Sequence, residues 1–215
     1  VRKDGYGGAF AIWGDWRTVG SVGINIQHID PEYGVTLETD GLEIYFDIDG
    51  DVEKGFIGSL YLGNDKSLIY WQDQRWNPFS IETYGKIIDA SYNPPLYDNG
   101  NSLSTNPNQL NPQTVRLGDK IFLLFESFNN EELEHLYFNI YDMDLNPITD
   151  PYGTSIYDNI SPQYNSKIIS NDEHVFVAYS DLRDWVTYDV VVQKFDEFGN
   201  PQWGDGGIIV NLEWD

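Results

Sequence analysis

Residues 175–203, VFVAYSDLRDWVTYDVVVQKFDEFGNPQW, decide how this chain folds. They contain two alternating apolar runs, an Asp-x-Arg corner at Asp181 and Arg183 between them, and an Asp-x-x-Gly turn before Trp203. Alternation of apolar and polar residues over a short run is the pattern of a half-buried β-strand. Taken alone, the stretch predicts a β-hairpin followed by a third strand.

The same pattern occurs four times along the chain at nearly constant spacing. Each first run ends in an aromatic residue, at Trp13, Trp71, Phe125 and Tyr179. The corner position two residues later holds Asp15, Asp73, Ser127 and Asp181. Two residues beyond the corner stand Arg17, Arg75, Asn129 and Arg183. A repeat of this length indicates an architecture built from one supersecondary unit used several times.

The second run of each copy is also repeated, and turn residues such as Asn-Pro and Gly-Asn separate the runs. Each unit therefore predicts four short strands, which is the signature of a β-propeller blade. We predict an all-β chain, a single β-propeller domain or segment of four consecutive four-stranded blades. The predicted blades are approximately residues 1–46, 47–104, 105–158 and 159–215. Because the chain begins at Val1 without a full innermost strand, we expect it to belong to a larger propeller.

Charge and composition exclude several classes of partner. The formal net charge is −23, which argues against binding to nucleic acid or to anionic membrane surfaces. No apolar run approaches the roughly 18 residues of a membrane-spanning helix, so we expect no membrane insertion. Cysteine is absent, which removes disulfides, thiolate metal ligands and thiol nucleophiles.

The units resemble the tandem repeats "D-G-x-G-G-a-x-x-a-W-x-D-x-R … I-y-x-Q-x-x-D-x-x-G-x-x-x-W" of large bacterial surface and secreted proteins. The first copy carries this pattern as DGYGGAFAIWGDWR, and the fourth carries it as VVVQKFDEFGNPQWGDGG. The resemblance implies a propeller and an exported, extracellular or cell-surface location, often reached by the type IX secretion route. It implies no defined activity, because such blades serve as scaffolds in proteins of many functions.

Two features are candidates, one for a catalytic role and the other for a metal-binding role. The Asp of the corner recurs in several blades, whereas a catalytic acid needs a singular environment, so we interpret the Asp-x-Arg pair as structural.

The segment DIDGDVE places Asp47, Asp49 and Asp51 at alternate positions around Gly50, a pattern that fits a calcium loop. An acidic turn without an ion is the alternative. We predict no cofactor other than this calcium.

Aromatic residues follow the corners in the loops between the second and third strands. Trp16, Trp76 and Trp185 are the candidate ligand-binding residues, because aromatic platforms beside acidic groups suit a glycan or a protein partner. Wedges that pack between blades are the alternative interpretation of these side chains.

From these observations we predict a non-catalytic, extracellular binding or scaffold module with no catalytic residues, and not an enzyme. One alternative is a carbohydrate-active propeller, either glycosidase or lectin-like. Another is a cargo or accessory subunit of a secretion or surface assembly.

Overall fold

The computed structural model describes residues 1–17, 23–46, 56–64, 66–75, 80–88, 99–128, 133–157, 161–204 and 206–210. The chain divides into two compact units, Val1–Leu103 and Ser104–Asp215. Strands and turns make up the described residues, which include no helix. In keeping with this, no described helix is long and apolar enough to cross a membrane.

The first unit contains two antiparallel sheets. Sheet 1 comprises β1 (Arg2–Lys3), β2 (Ala9–Asp15), β3 (Gly23–Asp30), β4 (Gly34–Val35) and β5 (Leu42–Phe46). Sheet 2 comprises β6 (Ile57–Gly63), β7 (Lys66–Asp73), β8 (Glu82–Ile88) and β9 (Asn101–Ser102). Both β4 and β5 pair with β3, which gives sheet 1 one strand more than sheet 2.

The second unit repeats the arrangement with two four-stranded antiparallel sheets. Sheet 3 comprises β10 (Leu110–Leu117), β11 (Lys120–Phe128), β12 (Glu134–Tyr141) and β13 (Thr154–Ser155). Sheet 4 comprises β14 (Gln163–Ser170), β15 (Val175–Asp181), β16 (Asp189–Phe195) and β17 (Ile208–Ile209). Strands of a sheet lie side by side in chain order, as expected of propeller blades.

The repeated aromatic residue belongs to the core of its unit. Trp71 and Tyr179, at the ends of β7 and β15, are almost completely buried. Burial of such large side chains is a main source of stability in a sheet protein without helices. Gly41 and Gly100 open the outermost strands beside Trp13 and Trp71, where a Cβ would lie 2.5 and 2.6 Å from the indole ring. Both glycines also have positive φ, so the limited space and the backbone conformation each favour glycine at this position.

Two further repeated residues have local structural roles. The acid at the end of the third strand caps the following turn in sheets 1, 3 and 4, at Asp30, Asp142 and Asp196. Asp196 Oδ1, for example, accepts the N–H groups of Phe198 and Asn200 at 2.9 Å. The amide within the third strand bonds to backbone, as Gln193 Nε2 donates to the Gly204 carbonyl. The prediction of an all-β chain of four consecutive blades is confirmed, with β4 as the one added strand among the described residues.

Candidate functional site

The Asp-x-Arg corners are structural ion pairs, as the sequence predicts. In sheet 4, Arg183 donates to Asp181 through Nε at 3.1 Å and through Nη2 at 2.7 Å, and Nη2 also reaches the Gly206 carbonyl. The pair thus ties the end of β15 to the start of β17. Arg17 and Arg75 bind Asp15 and Asp73 in the same way and reach the carbonyls of the residues before Gly41 and Gly100.

Sheet 3 departs from this pattern. Its corner residue is Ser127, whose hydroxyl donates to Asn106 Oδ1 and the Pro107 carbonyl, both at 2.6 Å. The residue just before the corner is Glu126, which is only 3% exposed. At the equivalent position the other sheets have Gly14, Gln72 and Ser180. A buried carboxylate therefore occurs at this position in only one of the four copies.

Glu126 lies between the first strands of sheets 3 and 4 and is held by three donors. Asn111 Nδ2 of β10 donates to its Oε2 at 2.6 Å. The backbone N–H and the hydroxyl of Ser166 of β14 donate to its Oε1 at 3.1 and 3.0 Å. The carboxylate is fixed in place by groups from two different strands, which is the kind of support that a functional side chain requires.

Two β-bulges bring these donors to Glu126. The pairing of β10 with β11 shifts between Leu110 and Gln113, and that of β14 with β15 shifts between Tyr164 and Lys167. Within the bulges, Asn111 and Asn165 have φ values of 49° and 56°, a backbone region that Asn tolerates better than most residues. Bulges re-aim side chains and are common beside active sites.

A second carboxylate, Glu134, lies on the same face of sheet 3. Glu126 is opposite Leu136 on β12, so Glu134 is its diagonal neighbour, about 7–8 Å away between Cα atoms in such pairs. Partial burial first, and then the charge of Glu126, raise the pKa of the Glu134 carboxyl above its usual value of 4.5. A residue with a raised pKa beside a second carboxylate is suited to donate a proton.

Aromatic side chains border this carboxylate pair. The rings of Tyr164 and Tyr188 meet edge to face with centroids 5.1 Å apart. Burial, the hydrogen bond with Tyr188 and the charge of Glu134 raise the pKa of Tyr164 to about 12, so its phenol stays protonated at neutral pH. Tyr164 is therefore close to Glu134, and its partner Tyr188 belongs to the loop that follows Asp181.

That loop carries one of the predicted ligand-binding residues. Trp185 is 51% exposed and has a φ of 61°, an unusual backbone conformation for a bulky residue. Its N–H donates to the Leu182 carbonyl, and Asp184 Oδ1 accepts the N–H groups of Val186 and Thr187. These bonds hold the loop in one conformation with the indole ring turned toward solvent.

Of the other predicted site residues, only Trp16 is among the described residues. Trp16, in the first unit, is 66% exposed at the end of β2. Trp76 and the predicted calcium ligands Asp47, Asp49 and Asp51 lie outside the described residues, so the calcium site remains a prediction. The sequence reasoning missed Glu126 and Glu134, although the loss of the Asp-x-Arg corner in the third copy was a signal that this blade had diverged.

The chain is similar to known proteins in structure and not in sequence. No protein-family model matches it, and no curated protein matches it in sequence. An α-L-arabinofuranosidase from Lactobacillus brevis has a similar structure, with a TM-score of 0.53 and 12% identity over 96% of this chain and 75% of that chain. An endo-arabinase from Bacteroides thetaiotaomicron matches with a TM-score of 0.48 and 12% identity over 95% and 72%.

The similarity to the α-L-arabinofuranosidase corrects the functional prediction. The expectation of a non-catalytic scaffold module, and not an enzyme, is contradicted because this solved structure, which matches 96% of the chain, is that of an enzyme. The expectation was wrong for a physical reason. Repetition of the corner Asp argues against catalysis by that residue alone, and it has no bearing on the unrepeated carboxylates. The fold is that of a β-propeller, shared with the α-L-arabinofuranosidase at 12% identity.

Proposed function

We propose that this chain is a carbohydrate-active β-propeller that hydrolyses a glycosidic bond. The observation that carries the proposal is the carboxylate pair Glu126 and Glu134, which occurs in one blade only and is bordered by Tyr164 and Tyr188. Two carboxyl groups flanking the scissile bond are the catalytic requirement of most glycosidases. The fold shared with an α-L-arabinofuranosidase supports the same reaction class.

The two carboxyl groups have different surroundings and take different roles. Glu134, with its raised pKa, is the general acid that protonates the leaving oxygen of the sugar. Glu126, fixed by Asn111 and Ser166, is the partner carboxylate that activates water or attacks the anomeric carbon. In either case the glycosidic C–O bond breaks, the aglycone leaves with the proton from Glu134, and water supplies the new hydroxyl.

The aromatic residues of sheet 4 are the sugar-binding part of the site in this proposal. Trp185 and Tyr188 present ring faces and edges that suit the apolar face of a sugar. The strong negative charge of the chain favours neutral over acidic polysaccharides. Export to the cell surface, as the repeat resemblance implies, would place the enzyme where such polymers occur. A protein partner at that surface is a further expectation from the same resemblance.

The experiment is a hydrolysis screen with purified chain against arabinan, xylan, β-glucan and aryl glycosides, followed by variants. E126Q and E134Q should each reduce kcat by about 100-fold or more, because each removes one carboxyl function. E173Q, at an exposed turn distant in sequence from both, is the matched control and should keep full activity. Release of no sugar from any substrate, or full activity in E126Q and E134Q, would refute the proposal.

A further inference from the structure

A second group of polar atoms, in the first unit, has no part in the proposed hydrolase site. It surrounds the space beside Gly23, at the start of β3. A Cβ placed on Gly23 would lie 2.8 Å from Glu43 Oε1, 3.4 Å from Asn25 Oδ1 and 3.4 Å from the Tyr45 carbonyl oxygen. Three oxygen atoms therefore converge on one small space, which exists because residue 23 has no side chain.

A β-bulge produces this convergence. Along the pairing of β3 with β5, Ile24 is opposite Tyr45 but Asn25 is opposite Glu43, so that β5 has one extra residue between them. The bulge allows the Glu43 side chain and the Tyr45 carbonyl to approach the same point near Gly23. The outermost strands of the other sheets have only two residues each, and the arrangement belongs to sheet 1 among the described sheets.

Asn25 Oδ1 is the atom of this group that most directly indicates a bound ligand. Asn25 is 6% exposed, and its Nδ2 donates to the Asp40 carbonyl at 3.4 Å, which directs Oδ1 toward Gly23. There Oδ1 has no hydrogen-bond partner among the described residues. A buried carbonyl oxygen without a partner destabilises the fold, and a bound ligand would remove that cost.

The electrostatics of the site favour a cation. Glu43 directs a carboxylate oxygen at this space, and Asp15 is opposite Gly23 in the pairing of β2 with β3, so two acidic residues flank it. The guanidinium of Arg17 is engaged elsewhere, because it donates to Asp15 and Asp40. Glu43 is exposed, so an ion can reach its carboxylate from solvent.

We propose that Glu43, Asn25 and the Tyr45 carbonyl bind a hard divalent cation, Ca²⁺ in preference to Mg²⁺, beside Gly23. Carboxylate, amide and backbone oxygens are the ligands that Ca²⁺ takes in proteins, with water completing a flexible shell. Mg²⁺ demands a stricter octahedral geometry, which three protein oxygens from a bulge suit less well. The site uses none of the residues of the sequence-predicted acidic loop.

The test is thermal unfolding of the chelator-treated chain with added CaCl₂ or MgCl₂. Wild type should gain about 3 °C in Tm at millimolar Ca²⁺ and less with Mg²⁺. E43Q removes the charged ligand and G23A fills the space, and both should lose this gain. E32Q removes an equal charge in the exposed turn between β3 and β4 and should retain it.

A second readout keeps the test valid if a variant unfolds. Tb³⁺ bound beside Gly23 lies close to Tyr45, so excitation of aromatic residues should sensitise its emission in wild type and E32Q and not in E43Q. The variant D49N separates this site from the sequence-predicted loop. A Ca²⁺ effect that survives in E43Q and G23A but disappears in D49N would overturn the proposal. So would the absence of any Tm change at about 10 mM Ca²⁺, which is roughly ten times the Kd of the weakest protein calcium sites.

Discussion

Glu126 Oε1 accepts two hydrogen bonds from a single residue, the backbone N–H and the hydroxyl of Ser166, across the boundary between sheets 3 and 4. Gln113 Nε2 in turn donates to the Ser166 carbonyl at 2.8 Å. The two bulged strands are thereby linked through one carboxylate. The bonds that fix the position of Glu126 also contribute to the stability of the fold, and both effects can be measured.

Replacement of Ser166 should affect stability and activity together. S166A removes one neutral donor to a buried carboxylate, and we expect a loss of about 1–2 kcal/mol in the free energy of unfolding. It should also reduce kcat, because Glu126 is then held by fewer bonds. S170A is the control, at a half-buried serine on the same strand whose hydroxyl donates to the Arg116 carbonyl and not to a carboxylate. Urea unfolding measures the first effect, and an S166A chain as stable as wild type would contradict the role assigned to Ser166.

The raised pKa of Glu134 predicts the pH dependence of activity. A general acid must be protonated, so activity should fall as pH rises through the raised pKa and not through the ordinary value of 4.5. A rate profile of kcat/KM against pH measures this alkaline limb. In E134Q the limb should disappear from the residual activity. A limb that is unchanged in E134Q would assign the proton to another group.

The same pKa shift has a consequence for stability. A carboxyl with a higher pKa in the folded chain binds its proton more tightly there, so it stabilises the fold below pH 4.5 and loses this contribution as pH rises through the folded pKa. E134Q should therefore unfold at a higher temperature than wild type at pH 7, and the difference should shrink or reverse at pH 4. Calorimetric scans at both pH values check it.

The corner ion pairs should differ in their contribution to the free energy of unfolding according to their burial. Arg75 and Asp73 have side-chain exposures of 9% and 0%, whereas Arg17 is 56% exposed. R75A leaves a buried carboxylate without its counter-ion and should cost about 3 kcal/mol or more. R17A, its matched control, should cost much less because water screens the pair. Equal losses in the two variants would show that burial does not set the contribution of the corner.

The backbone conformation of Trp185 allows the effects of one substitution on ligand affinity and on stability to be separated. At a φ of 61°, glycine is favoured over any bulky residue, so W185G should be as stable as wild type or slightly more stable. It should nevertheless bind an oligosaccharide substrate about tenfold more weakly, since the exposed indole ring is lost. Calorimetric titration measures the affinity. Unchanged affinity in W185G would exclude Trp185 from the sugar-binding surface.

The blades were predictable from the sequence because they depend on local information that is repeated. The alternation of apolar residues in 175–181 and 189–195 specifies strands, and Asp196 specifies its turn through bonds to residues only two and four positions away. The same residue types at the same spacing give the same local structure in each copy. Charge and composition likewise limit the classes of partner, because they are properties of the chain in any conformation.

The candidate catalytic site was not predictable in this way. Asn111 and Ser166, which hold Glu126, are 15 and 40 residues away from it in sequence, and two bulges determine that they meet. A bulge shifts the register of a strand without a strong sequence signal. A repeat indicates the residues that its copies share, and not the role of the single position at which one copy differs. The sequence by itself determined the blades, because their contacts are local and repeated. Only the tertiary structure decided which unrepeated side chains, Glu126 with Glu134 and Asn25 with Glu43, come together between strands.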